Sequence, residues 1–193
     1  MPEGNFAASF AWRPGVDPAS MGLRSFTASL ALHDVLRGLG VEGMSLKWPN
    51  DVLLNDGKLA GILLENPTPD LLVLGIGINL IATPDPATLE PGAMPPVSLL
   101  AATGLRLEPQ TMLDALAPAF AAREAQLTTW GFAPIRTEWM KCAARKGQQI
   151  TVKLPGDTIT GTFTDVDDDG HLVLKTPDGL RRITAGDVFF GGG

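Results

Sequence analysis

Cysteine, histidine and basic charge are all scarce in this chain, and each shortage excludes something. A single cysteine, Cys142, among 193 residues excludes a disulfide scaffold and a cysteine-built metal centre. Two histidines far apart in sequence, His33 and His171, argue against a multi-histidine metal site. Acidic residues outnumber basic ones, giving a net charge of −6 and an isoelectric point near 4.8. A nucleic-acid surface needs a basic face, so no nucleic-acid partner is expected. No stretch approaches the roughly 18–20 unbroken apolar residues of a membrane span, and Met1 to Asn5 has neither the basic segment nor the apolar core of a signal peptide. With 45% hydrophobic and 19% charged residues the composition is globular, and the expectation is a soluble, cytoplasmic protein.

Patterning divides the chain. Phe6, Ala8, Phe10 and Trp12 alternate as a strand. Asp17-Pro18 reads as a helix start, with Leu23, Phe26 and Leu30 at helical spacing and Gly38 and Gly40 as the stop. Residues 44–54 read as strand, Pro-Asn-Asp corner, strand; Asn55-Asp56-Gly57 is a hairpin turn, and Lys58 to Glu65 the returning strand. The apolar run Leu71 to Leu80 suggests a strand buried on both faces. The prolines crowded into 82–97 mark an irregular loop. Helices are expected at 97–103 and from Pro109 to about Trp130, the latter kinked at Pro118. A further helix carries Ile135, Trp139 and Cys142 on one face. From Gly147 short alternating segments between tight turns read as a small β-barrel. The expected division is a domain over 1–146, a barrel over 147–190 and a glycine tail over 191–193.

Three stretches could carry chemistry. Lys47-Trp48-Pro49-Asn50-Asp51 sets a cation, an amide and a carboxylate around a proline-fixed corner, where an amine can meet phosphate and a carboxylate can hold Mg²⁺; a polar hairpin corner over a buried Trp is the plain alternative. Lys58 heads an apolar strand beside that corner. It is costly to bury without an anion, unless it is simply the solvating charge of an edge strand. Gly61, in that strand, and Gly75 with Gly77 in the next suggest a flat slot ending at Asn79; close helix-on-sheet packing would also explain them. Together they point to a small anionic or nucleotide ligand. Asp165, Asp167 and Asp169 open like a calcium loop, but Thr176 stands where a bidentate Glu belongs, so a β-turn is expected.

Lys-Trp-Pro-Asn-Asp-Val, then Lys-Leu-Ala-Gly-Ile-Leu-x-Glu, then Gly-Ile-Gly-Ile-Asn-Leu, in that order, resembles the bacterial biotin protein ligases over essentially the whole chain. The resemblance implies an α+β fold: a mixed β-sheet flanked by helices, followed by an SH3-like barrel. It implies two steps, in which biotin and Mg-ATP give biotinyl-5′-AMP, and a lysine of the biotin carboxyl carrier protein of acetyl-CoA carboxylase then takes the biotinyl group. Lys58 would be the catalytic lysine. Asp51 would hold Mg²⁺ and, with Lys47, Asn50 and Asn79, line the ATP. Lys58, Gly61, Leu63, Gly75 and Gly77 would bind biotin. Sheet-edge homodimers occur in that family. The family's Gly-Arg-Gly-Arg-x-Gly-Arg loop and an upstream Ser-Thr-Asn segment have no counterpart here; a mis-called start codon is the expected reason, ahead of a deliberate fragment or a naturally shortened protein. Loss of that lid keeps a non-catalytic biotin- or carrier-binding module in view, beside a lipoate-type acyltransferase.

Overall fold

The computed structural model describes residues 3–85, 87, 89 and 93–190. Met1, Pro2 and the expected glycine tail at 191–193 lie outside the described residues.

Strand β1 (Phe6–Trp12) alternates as its sequence requires: Phe6 is buried and Ala8, Phe10 and Trp12 follow it onto the covered face, while Ala7, Ser9 and Ala11 are exposed. The chain crosses through a 3-10 turn at Pro18–Leu23 into helix α1 (Arg24–Gly38). The α-helix therefore starts later than Asp17-Pro18 suggests. Ser20 N bonds Asp17 O in the tighter i→i+3 pattern, and Gly22, a poor helix former, lies within this turn just ahead of α1.

Strands β2 (Met44–Lys47), β3 (Asp51–Leu54), β4 (Gly57–Thr68) and β5 (Leu71–Ile78) complete a sheet of order β1-β5-β4-β3-β2. Its ladders are antiparallel throughout, so the expected mixed sheet is corrected: successive strands β2 to β5 turn back on one another, and among the described residues parallel pairing is confined to the isolated bridges Leu46–Ala143 and Lys58–Pro96. The β3–β4 turn has the two positive φ values that an Asn-Asp hairpin favours, 49° at Asn55 and 63° at Asp56. The Trp48–Pro49 peptide is cis.

Only one sheet face is fully covered. Leu72, Leu74, Ile76 and Ile78 are buried, whereas Val73, Gly75 and Gly77 between them are half-exposed, so β5 is not buried on both faces. The helices account for this, since α1 and α3 (Pro109–Trp130) pack against the sheet from the same side. Helix α2 (Leu99–Thr103) is capped by Ser98 Oγ, which accepts from Ala101 N at 3.2 Å, and closes at Gly104 in the left-handed conformation. Helix α3 runs on through Pro118, and α4 (Phe132–Cys142) follows Gly131. Trp139 of α4 is 1% exposed, meets Phe26 edge-on with ring centroids 5.1 Å apart, and donates Nε1–H to Ser29 Oγ.

The second sheet holds β6 (Gln149–Leu154), β7 (Asp157–Val166), β8 (Leu172–Thr176), β9 (Gly179–Ile183) and β10 (Asp187–Phe190), all antiparallel in the order β10-β6-β7-β8-β9. Its 167–170 turn is built on Asp167, whose Oδ1 accepts from Asp169 N and His171 N. That turn sits on the β2–β3 corner and the start of α1: Gly170 O accepts from Trp48 Nε1 at 3.0 Å, and a Cβ on Gly170 would stand 2.9 Å from Leu23 Cδ2. Arg136 of α4 adds ion pairs to Asp165 and Asp168 and donates to Val166 O. Among the described residues no helix is long and apolar enough to cross a membrane.

Candidate active site

The β2–β3 hairpin places Lys47 directly opposite Asp51, and the β3–β4 ladder places Asp51 opposite Gly61. This register makes the site. Asp51 is 6% exposed, and each of its oxygens faces an ammonium. Lys47 Nζ donates to Oδ2 at 3.0 Å, and Lys58 Nζ lies 2.6 Å from Oδ1. The second contact is one of charge rather than a well-directed hydrogen bond, since Oδ1 finds no hydrogen-bond donor among the described residues. The Lys47 side chain is nearly buried, whereas that of Lys58 is 42% exposed and reaches the opening. Gly61 makes room for this pairing, because a Cβ there would already touch Lys58 Cε at 3.4 Å and Nζ at 3.5 Å. Two ammonium groups share one carboxylate, which leaves one net positive charge at the corner.

That charge faces a cavity of about 510 Å³. Lys47, Asp51, Lys58, Gly61, Gly77 and Asn79 all line it, so six of the residues singled out from sequence converge on one space. Asn79 Nδ2 donates to Lys58 O at 3.3 Å, tying the ends of β4 and β5 together. Asn50 is placed differently: its Nδ2 donates to Ile62 O at 2.6 Å and its backbone carbonyl accepts from Ile62 N, which pins the corner to β4. Leu63 and Gly75 pair with each other farther along the open face, where Leu63 is 58% exposed. Ser9 of β1 joins them, its Oγ 3.8 Å from where a Gly75 Cβ would stand.

Two walls of the cavity are invisible to motif reading. Pro84, Met94 and Pro96 of the proline-dense loop form one, for which proline density was the only signal. Asp187, Val188 and Phe189 of β10 form the other, and nothing in their local sequence signals it.

The donor set does not fit a resident Mg²⁺. It offers one carboxylate, and both oxygens already face ammonium groups, so a cation there would have to displace Lys58 or Lys47. The arrangement suits anions: it can hold two negatively charged groups close together and offset their repulsion in a partly dry space.

Comparisons with known proteins place the chain among relatives. Residues 1–79 match the Biotin/lipoate A/B protein ligase family and residues 147–191 the Biotin protein ligase C terminal domain. A biotin–[acetyl-CoA-carboxylase] ligase of Paracoccus denitrificans is 47% identical over 199 residues, covering 100% of this chain and 82% of that protein. The bifunctional ligase/repressor BirA of Bacillus subtilis is 31% identical over 152 residues, which cover 76% of this chain and 46% of that longer protein. In structure, the apo biotin protein ligase of Aquifex aeolicus superposes with a TM-score of 0.85 at 22% identity, covering 96% of this chain and 82% of that one. The same enzyme in complex with biotin and ATP gives 0.83, covering 96% and 78%. The fold, the motif order and the 47% identity to the Paracoccus enzyme over the whole of this chain lead to one conclusion: the chain belongs to the biotin protein ligase family.

Proposed function

We propose that the protein activates biotin as biotinyl-5′-AMP and transfers the biotinyl group to a lysine of the biotin carboxyl carrier protein of acetyl-CoA carboxylase. The observation that carries this reading is the Lys47–Asp51–Lys58 arrangement, which faces the cavity beside the glycine-lined face of β4 and β5. In the first step a biotin carboxylate oxygen attacks the α-phosphorus of ATP, and pyrophosphate leaves. Both reactants are anionic. Lys58, the more exposed cation, sits between them and offsets their repulsion; Lys47 and Asn79 bind the nucleotide side. Asp51 holds both ammonium groups in register, and Asn50 holds the corner that carries Asp51. Mg²⁺ arrives as part of the nucleotide substrate. Gly61 and Gly77 leave a flat floor for the fused rings of biotin, continued outward by Gly75 and Leu63. In the second step the acceptor amine attacks the acyl carbon of the mixed anhydride, AMP leaves with the bonding pair, and the amine sheds its proton.

The division of labour follows the fold, with a catalytic unit over 1–146 and a barrel over 147–190 that lends β10 to the cavity wall. Two copies would pair along a sheet edge, for which β1 and β2 are the candidates.

The test combines the protein, Mg-ATP, biotin and an apo biotin carboxyl carrier domain, and follows acceptor mass. Addition of one biotinyl group, abolished by Lys58→Ala, is expected. Biotinylation that survives Lys58→Ala would refute the role given to the lysine.

A further inference from the structure

The loop after β5 leaves the sheet beyond Asn79 and returns at Val97, and through Pro84, Met94 and Pro96 it walls the cavity. Its return is fixed by backbone pairing: Lys58 N donates to Pro95 O at 2.8 Å and Val97 N to Lys58 O at 3.0 Å. Its departure is fixed by a side chain. Asn5 Oδ1 accepts from Ile81 N at 2.9 Å and Ala82 N at 3.1 Å, and Asn5 Nδ2 donates to Ala82 O at 2.7 Å. One carboxamide thus satisfies three backbone groups just past the end of the β5 ladder, a point where the chain must otherwise find water or another partner. The approach is close on both sides. Gly4, at φ +84°, would place a Cβ only 3.1 Å from Ile81 Cγ1, so the segment before β1 and the root of the loop are fitted to one another. Asn5 is not among the described residues that line the cavity, so it acts on the cavity only through the loop.

We propose that Asn5 is a positioning residue for the nucleotide half of the active site. Its carboxamide sets where Ile81 to Pro84 leave the sheet, and hence how far Pro84 stands from the lysines. The proposal rests on the adenylation reading above. Prolines in the loop remove backbone donors that could hold it by other means, which gives the three bonds at its root more weight. Without them the wall is no longer preorganised, and binding of the adenylate has to order it. The glycine floor belongs to β4 and β5 and does not depend on the loop root, so biotin alone should be little affected.

Asn5→Ala and Asn5→Asp decide it, with amide exchange at Ile81 and Ala82 and with calorimetric affinities for biotin and for biotinyl-5′-AMP. In Asn5→Ala the two amides should exchange at least tenfold faster and biotinyl-5′-AMP should bind about tenfold more weakly, with biotin affinity within twofold. Asn5→Asp keeps both accepted N–H bonds and sets an oxygen against Ala82 O, so it should fall between Asn5→Ala and the parent. Faster exchange with unchanged adenylate affinity overturns the proposal, and so does equal weakening of both ligands, which would mean general loosening. If the unmodified protein binds no biotinyl-5′-AMP, the adenylation reading itself fails, a result in which Asn5 plays no part.

Discussion

Replacing Asp51 by Asn removes the one negative charge between two ammonium groups while preserving the shape of the side chain. The consequence is calculable from the geometry. Lys47 is nearly buried and would lose its counter-ion, and removing one partner of a buried pair costs about 3–5 kcal/mol. Lys58 is partly solvated and adds little, so the lower end of that range, about 3 kcal/mol, is expected. The repulsion between the two cations, roughly 2–3 kcal/mol if they stand about 6 Å apart at an effective dielectric constant near 20, would then lack the carboxylate that offsets it. Lys58, the freer of the two, should relieve this by swinging toward solvent, away from the position in which it bridges carboxylate and phosphate. Urea denaturation at pH 7 measures the first effect and pyrophosphate release the second. The double variant Lys47→Met with Asp51→Asn separates them. It should regain most of the lost stability, because no buried charge is left unpaired, while adenylation stays low. Strict additivity of the two single changes would refute the account of Lys47 and Asp51 as a coupled pair. So would a large rise in the Mg²⁺ concentration needed for half-maximal rate in Asp51→Asn, which would restore the carboxylate as a metal ligand.

Two other consequences concern stability. Gly170→Ala meets both a φ of +84° and contacts of 2.9 Å to Leu23 Cδ2 and 3.1 Å to Phe26 Cε2. It should cost about 2–3 kcal/mol and disturb the Trp48–Gly170 hydrogen bond, read as a changed environment for the Trp48 indole; wild-type melting would dismiss the tight seat. His33 is nearly buried, and the Asp34 carboxylate and the Cys142 thiol beside it push its pKa up from 6.5 to about 9, against the effect of burial. A raised folded-state value stabilises fully below pH 6.5 and is lost as pH climbs through about 9. Since Nδ1 and Asp34 Oδ1 are 3.9 Å apart, the expected loss is a modest 1–2 kcal/mol or so. Asp34 shows the opposite sign: burial raises it, but His33 and Arg123 together outweigh that and hold it below 3.8, so its share is lost only in acid. Melting temperatures from pH 6.5 to 9.5 should fall more steeply in the parent than in His33→Gln, and parallel slopes would exclude His33 as the titrating group.

What the sequence discloses and what it withholds divide along a physical line. Local rules were sufficient wherever side chain and backbone decide together. Alternation in Phe6 to Trp12, the Asn55-Asp56 turn and the helix ends at Thr103 and Trp130 all appear where their spacing puts them. The Lys47-to-Asp51 corner and Lys58 were legible as one site because a single hairpin register joins them. The exposure of one face of β5 was not legible. Leu71 to Ile78 is apolar enough for burial on both sides, and whether helices cover one face or two depends on how α1 and α3 pack.

The same line explains why the setting of Asn50 and the barrel's place at the cavity resisted reading. An amide in a charged corner can face a ligand or its own backbone, and only the return of Ile62 to within 2.6 Å of its Nδ2 decides between them. Asp187 to Phe189 are ordinary strand residues, and they reach the cavity because the 167–170 turn is seated between Trp48 and Leu23, more than a hundred positions earlier. Trp48 lies inside the very motif that marks the site. Its ring therefore does two things at once: it fills the core beneath the charged corner, and its N–H fixes the barrel that closes the cavity over that corner. A motif of five residues thus carries both the charges of the site and the attachment of the wall that faces them. The second role leaves no trace in spacing, because its partner is a backbone carbonyl.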